Sequence, residues 1–505
     1  MNKNLLFVFV ATLMIAACSN LDDQPVDIEF NKQKALTRNN TSNGNKNTSV
    51  SLEEAISIAN RFYREQGAIQ KNKRNNKSAK YVSPTTNIIK EGDIPAMYVI
   101  NYPNGGFVIV GASKDYYPIL AYSDEGTFDL TLEDTGISNW VAETKDAIKN
   151  SSTLCDSMKN DMKVLWNSYS SEKIENNTIN TPTRGNLSAA EIACYERCED
   201  LLNQYGYEGD EGWHFQPLST AEQAFAEAGY SGIYQNLCYS ANYNHSPANT
   251  SVVGWKICTL KEEVDALIGT KWSQGAPFNN LMSHDAGCGP IAFAQVMRYY
   301  EYPQILTYNG YSMNLNNIPH NPSNGNPSDY ANLVKMVYEE LGTTYVNLPL
   351  LGEAVYTTPE GMENGIEKFG YNVSSGDHSF ERVQNEILKY KRPVIMLGND
   401  TNLSALPEPL NYIGNSHFWV CDGCKKTTKN RLFVFTEWQP YGNGDFVPGW
   451  YSMNNPDVQG GVVFSYYHMN WGWGGTYNGW FADNSMTPGS HDFEHSRKDF
   501  YIIKP

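Results

Sequence analysis

Basic residues are in short supply. Lys and Arg number 38 against 55 Asp and Glu, a formal net charge of −17. A phosphate backbone needs a basic face, so nucleic acid is excluded as the main partner. Cysteine is sparse, nine in 505 residues, far below the density of a disulfide scaffold. Long apolar runs are missing too. The longest, Leu5 to Ala17, falls short of the roughly 20 residues that span a bilayer, which excludes a polytopic membrane protein. Aromatics are not scarce: at 13% they argue against overall disorder, and the length suffices for two to four domains.

The apolar run follows Lys3, and Ile15-Ala16-Ala17 leads into Cys18. Positive charge, apolar stretch and small residues in that order read as a secretory signal over residues 1–17. A cysteine directly after the small residues looks like a bacterial lipobox, in which Cys18 is acylated and becomes the new N-terminus. Residues 18–50 are polar, with low-complexity Asn39 to Ser49, and read as a tether. The expected location is the bacterial cell envelope, as an outer-membrane or cell-surface lipoprotein, with release as a variant. The expected membrane contact is this lipid anchor.

Ordered structure is expected from Ser51, where Ser51 and Glu54 form an S-x-x-E capping box. Leu52, Ala55, Ile56, Ala59, Phe62 and Tyr63 then recur on one helical face. Strand-like runs follow at Met97–Tyr102, Gly106–Val110 and Pro118–Tyr122, with Asn104-Gly105 as a hairpin signal. A second helix is expected from Ser138, with Trp140, Val141, Thr144, Ala147 and Ile148 facing inward. Residues 51–170 thus read as a small α+β domain, without histidine and with one cysteine, Cys155, and without a catalytic set. Residues 171–186, polar around Asn176-Asn177 and Pro182, read as an exposed linker in which Arg184-Gly185 is a candidate cut. The segment 187–270 holds Cys194, Cys198, Cys238 and Cys258. Their spacing lacks a second close pair, so disulfides suit it better than zinc.

The chemistry-bearing residues lie in 271–505. Residues 284–303 read HDAGCGPIAFAQVMRYYEYP. Pro290 suits a first helical turn, and Ile291, Ala294, Met297 and Arg298 follow at helical spacing. Cys288 is therefore placed at a helix N-terminus, where unsatisfied N–H groups and the helix dipole stabilise a thiolate. A thiolate nucleophile needs a base. His417 opens the strand-like run SHFWVCDG, which follows the buried strand RPVIMLG (392–398) and is expected to close in a turn. Further on stands YYHMNWGWGG (466–475), where the Asn470 oxygen could accept from an imidazole and fix its orientation. Each motif alone is equally compatible with core packing.

Together GCGPIAFAQVMRYYEYP, TKWSQGAPFNN (270–280), KRPVIMLGN, SHFWVCDG and HMNWGWGG resemble the streptopain family, papain-like cysteine peptidases made as secreted zymogens. The resemblance implies an α+β fold, with a helical part carrying the cysteine and an antiparallel sheet part carrying the histidine and asparagine. It implies Cys288 as nucleophile, His417 as general base, Asn470 as its orienting partner and Trp471 as their shield from water. Gln274 would be the oxyanion-hole side chain, beside the Cys288 backbone N–H. Residues 51–150 resemble the family's inhibitory propeptide, so the prodomain is the chain's own inhibitor, expected as a folded block across the cleft. Substrates would be proteins or peptides, and neither cofactor nor metal is implied.

Two departures stand out. His417 and Asn470 are 470 − 417 = 53 residues apart, which makes 427–462 an insertion, a flap or a surface loop; and 187–270 exceeds what the family needs. Cys421 and Cys424, in C-D-G-C, lack a helix start that would activate a thiol and read as structural. His491 to His495 fits H-x-x-E-H, but too few residues follow to supply a third zinc ligand. Two other functions compete. One is a catalytically dead surface protein binding host protein or glycan; the presence of Cys288, His417, Asn470 and Gln274 together disfavours it. The other is acyl transfer to an amine, whose enzymes typically use Asp where Asn470 stands.

Overall fold

The computed structural model describes residues 48–71, 84–103, 105–129, 135–153, 156–169, 207–209, 214–217, 222–223, 235, 252–348, 352–399, 416–437, 448–451, 462–482 and 497–505. The expected signal, Cys18, the tether up to residue 47, the linker, Cys155, Cys194, Cys198, Cys238 and the 491–495 motif lie outside the described residues; residues 48–50, expected as tether, instead pack on the first domain, with Val50 buried and its N–H donating to the Ala112 carbonyl at 3.0 Å.

The first domain forms as its patterning predicts. Helix α1 (Leu52–Lys71) starts at the expected cap, the Ser51 hydroxyl accepting from the Glu54 N–H at 3.1 Å. Strands β1 (Thr85–Glu91), β2 (Ile94–Asn101), β3 (Phe107–Gly111) and β4 (Ile119–Ser123) form an antiparallel meander. Three coincide with the expected runs. β1 was not legible, because TTNIIKE is half-exposed and polar. Helices α2 (Thr135–Asn150) and α3 (Asp156–Tyr169) follow.

Next come β5 (Tyr207–Gly209), β6 (His214–Pro217) and β7 (Val252–Val264). Helix α4 spans Cys288–Tyr300, followed by the ribbon β8 (Ile305–Tyr308) and β9 (Tyr311–Asn314). Helix α5 (Pro327–Glu340) is capped by Asn326 with Pro at its start. The ribbon β10 (Thr344–Leu348) and β11 (Gly352–Tyr356) precedes α6 (Pro359–Lys368), β12 (Asn372–Asp377) and α7 (Phe380–Gln384). The chain closes with β13 (Val394–Asn399), β14 (Ser416–Glu437), β15 (Pro448–Tyr451), β16 (Val462–Asn470), β17 (Gly479–Ala482) and β18 (Lys498–Ile503).

One sheet runs through both domains, in the order β1-β2-β3-β4-β17-β16-β14-β13-β18-β12. The domains join where β4 pairs with β17, Tyr122 opposite Trp480 and Ala121 opposite Phe481. Strand alternation then gives the peptidase part of the sheet two cores. Ile395, Leu397, Phe418, Val420, Phe500 and Ile502 face α4 and pack with Ile291, Phe293 and Val296. Met396, Trp419, Cys421, Tyr467 and Tyr501 face the other way and share a core with Val108, Leu120, Phe128 and Trp140 of the first domain.

Two expectations are corrected here. The run from His417 does not close in a turn: β14 continues to Glu437, and the described residues of 427–462 lie in β14, β15 and the start of β16. Beyond Cys424, β14 pairs with β7 from Cys424 opposite Val264 to Glu437 opposite Val252, and β5, β6 and β15 flank that ribbon. The described strands of the two segments, β7 and the far half of β14, pair in one β-ribbon. The described residues of the first domain, in turn, do not pack against α4. Among the described residues its core contacts are on the sheet face opposite α4, because the apolar residues of α2 fit the aromatic back of β14, β16 and β17.

Candidate active site

Cys288 is the first residue of α4, as its sequence predicts. Gly287 caps the helix at φ 84°, a left-handed conformation that glycine adopts without strain. The thiol is half-buried, at the helix end where orphan N–H groups and the dipole favour a negative sulfur. The segment before it folds back: the Ala286 N–H donates to the Gln274 carbonyl at 2.9 Å, and the Gly474 N–H to the Trp272 carbonyl at 2.8 Å. Gln274, half-buried, is thus held beside Ala286, which stands two residues before Cys288, and alongside the 471–475 turn. The first turn of α4 meets the same turn, with an Ile291 methyl carbon 3.3 Å from where a Cβ on Gly472 would lie.

His417 stands second in β14, opposite Gly398. Its side chain is buried, at 3% exposure. Its Nε2 lies 2.9 Å from the Trp471 carbonyl oxygen. A carbonyl only accepts, so Nε2 carries the proton and Nδ1 the lone pair. Burial lowers the imidazole pKa to about 4, against a smaller upward pull from the Trp471 carbonyl. At neutral pH it is uncharged.

The contact expected of Asn470 therefore belongs to its neighbour's backbone. The Asn470 Oδ1 accepts from the Gly472 N–H at 3.2 Å, and its Nδ2 donates to the Thr270 carbonyl at 3.0 Å. The tight turn after β16 folds the side chain back onto its own loop, so Asn470 fixes the turn that presents the Trp471 carbonyl. The shield also differs. The Trp473 ring stacks on the imidazole at 4.3 Å between centroids, whereas Trp471 stands at 6.4 Å. The W-G-W-G-G run held Trp473 as plainly as Trp471, but nothing in the spacing distinguished them.

Cys421 and Cys424 carry thiols, not a disulfide, and both are buried. Burial and nearby Asp422 hold the Cys421 thiol well above its ordinary pKa, which suits a structural residue. The first domain reaches this site at its edges. Tyr477 donates to the Asp129 carbonyl, and Lys271 pairs with Glu125. Trp140 packs edge-on to Phe481 at 4.9 Å, and Arg497 pairs with Glu143 of α2. A cavity of about 20 Å³ lined by Trp140, Glu143, Trp419, Trp471 and Arg497 remains there, room for about one water.

Two family models match the chain, in this order: Spi protease inhibitor over residues 47–148 and the Peptidase C10 family over residues 272–347. The peptidase match holds Gln274 and Cys288 and ends before His417. Streptopain from Streptococcus pyogenes is 22% identical over 402 residues, covering 78% of this chain and 75% of its own; streptopain of serotype M1 is 21% identical over 402 residues. A solved mutant fragment of prointerpain A from Prevotella intermedia aligns with a TM-score of 0.40 at 13% identity, over 83% of this chain and 98% of that one. An inhibitor domain followed by a peptidase domain in one chain defines the class, a peptidase zymogen that carries its own inhibitor. The chain is similar to the streptopain zymogens, and the two matched models support a cysteine endopeptidase acting on protein substrates and made with its own inhibitor domain.

Proposed function

We propose that the mature form is a lipid-anchored endopeptidase of the bacterial cell surface in which Cys288 attacks the scissile carbonyl and His417 moves the proton. The observation that carries this reading is a thiol at the first residue of α4, a helix that packs on β14, together with a β14 histidine whose Nε2 is already committed to the Trp471 carbonyl. That bond leaves Nδ1 as the proton acceptor for the thiol. The thiolate adds to the carbonyl, and the oxyanion is met by the Cys288 N–H and the Gln274 amide. The imidazolium then protonates the leaving amine, and water releases the acyl group by the same steps. Asn470 acts on His417 through the turn that carries Trp471. Trp473, with Trp471 behind it, keeps water from the imidazole.

Latency follows from burial. A working thiolate–imidazolium pair needs a histidine that can hold a charge near neutral pH, and an imidazole with a pKa near 4 does not. Departure of residues 48–169 returns water to the back of β14 and β17 and raises that value. Cleavage in 171–186 is the step that permits departure.

The test is hydrolysis of casein before and after nicking of the linker, with and without an alkylating epoxide. Epoxide-sensitive activity that rises on nicking is expected; activity that persists in Cys288→Ala removes the thiol from the mechanism. The anchor has its own test. Fatty-acid labelling in cells should mark the wild type and not Cys18→Ser, and label on the variant refutes the lipobox.

A further inference from the structure

Asp422 is a fully buried carboxylate five residues beyond His417 on the same strand. It occupies a β-bulge: Cys421 pairs with Met469 and Gly423 with His468, so Asp422 has no partner in β16. A bulge at this point re-aims one side chain out of the ladder, and the structure requires it. A Cβ on Gly423 would lie 2.8 Å from the His468 Cβ and 2.9 Å from the Trp480 ring, so only glycine lets the strands close beyond the bulge.

The re-aimed carboxylate joins three segments. Its Oδ2 accepts from the Ile268 N–H at 2.7 Å, and its backbone carbonyl from the Leu267 N–H at 2.9 Å. Its Oδ1 lies 2.6 Å from the His468 Nδ1, on the strand that ends at Asn470. The chain held at Leu267 and Ile268 runs directly to Thr270, whose carbonyl takes the Asn470 amide and whose hydroxyl donates to Gln295 of α4 at 2.6 Å. Four residues later it delivers Gln274. Burying a carboxylate is costly unless every oxygen is satisfied, and here the compensating bonds all go to the segments that carry active-site groups.

We propose that Asp422 is a positioning residue for the peptidase reaction, holding residues 267–274, and with them the Gln274 amide, in register with the strand of His417. This rests on the assignment of Gln274 to the oxyanion. A displacement of about 1 Å of such a donor costs on the order of 10²-fold in rate, while the thiol and imidazole lie on other segments.

The experiment uses the full-length chain after linker processing, with competent sites counted by epoxide titration so that misfolded protein does not enter the rate. Asp422→Ala should lower kcat per titrated site by about 10²-fold with KM within about twofold. Asp422→Asn, which keeps an oxygen for Ile268, should recover most of that loss. Alkylation of Cys288 by iodoacetamide, which needs no oxyanion hole, should keep its rate and pH midpoint. Gln274→Ala should be impaired, and the double variant with Asp422→Ala should be no worse than the poorer single. Asp422→Ala with wild-type kcat beside an impaired Gln274→Ala overturns the proposal alone; a fully active Gln274→Ala overturns the oxyanion assignment and this proposal with it. Losses that multiply, or a shifted alkylation midpoint, also overturn it. If Asp422→Ala yields no titratable sites, His468→Gln carries the test: kcat should fall several-fold with alkylation unchanged, and wild-type kcat refutes the brace.

Discussion

The two faces of the peptidase sheet are built differently. On one face, α4 lies over Phe418 and Val420 in a core made wholly by the peptidase, and it begins at Cys288. On the other, Trp419 and Tyr467 share their core with the first domain. The permanent face holds Cys288 at its helix end. Trp419, two residues beyond the buried His417, lies in the shared core. On the proposed mechanism, regulation would act on the base and not on the nucleophile.

That contrast can be broken in order of expected effect. Cys288→Ala, on the permanent face, should lower peptide hydrolysis and self-processing by at least about 10³-fold while leaving the melting temperature of the zymogen unchanged. Trp140→Ala, on the shared face, should destabilise the docked first domain by about 3–5 kcal/mol, read as faster activation of the zymogen and a lower first melting transition; an unchanged activation rate removes the shared core from latency. Glu143→Ala leaves the buried Arg497 with less compensation and should cost about 3 kcal/mol of docking, measured the same way.

The pH dependence sharpens the comparison. His417 folds with a pKa near 4, below its ordinary 6.5, so between these values the unfolded chain binds the extra proton. The contribution is whole above about pH 6.5 and is lost as pH falls toward 4, by up to about 3 kcal/mol. Urea titrations of the Cys288→Ala zymogen at pH 7 and pH 4.5 should show this drop, and His417→Gln in the same background should remove most of it. Equal pH sensitivity in the two would place the base in water already. Smallest is Glu125→Gln, which breaks the exposed pair with Lys271: under about 1 kcal/mol, fading with salt.

Much of this was legible in the sequence where the signal is local. The Ser51 cap, three of the first domain's strands and the start of α4 at Cys288 follow from spacing and capping rules. β13, the opening of β14 and the closing strand β18 follow from apolar runs. What escaped depends on partners far away or on groups that every residue shares. A ladder between β7 and β14 joins residues 424 − 264 = 160 to 437 − 252 = 185 positions apart, a pairing that neither pattern specifies. The carbonyl holding His417 is backbone, and no residue type announces it. Asn470 bonds the turn that carries Trp471 and not the imidazole. Asp422 looked like part of a turn because D-G usually is one, whereas it marks a bulge.

The β4–β17 junction bears on how the mature enzyme stays soluble. It spans two residue pairs, so shedding the first domain opens a short strand edge, flanked by Trp480, Phe481 and Tyr466, which the zymogen buries. A bare edge with aromatic faces is a template for self-association. The brevity of β17 limits that hazard. While the first domain is docked, its β4 covers that edge.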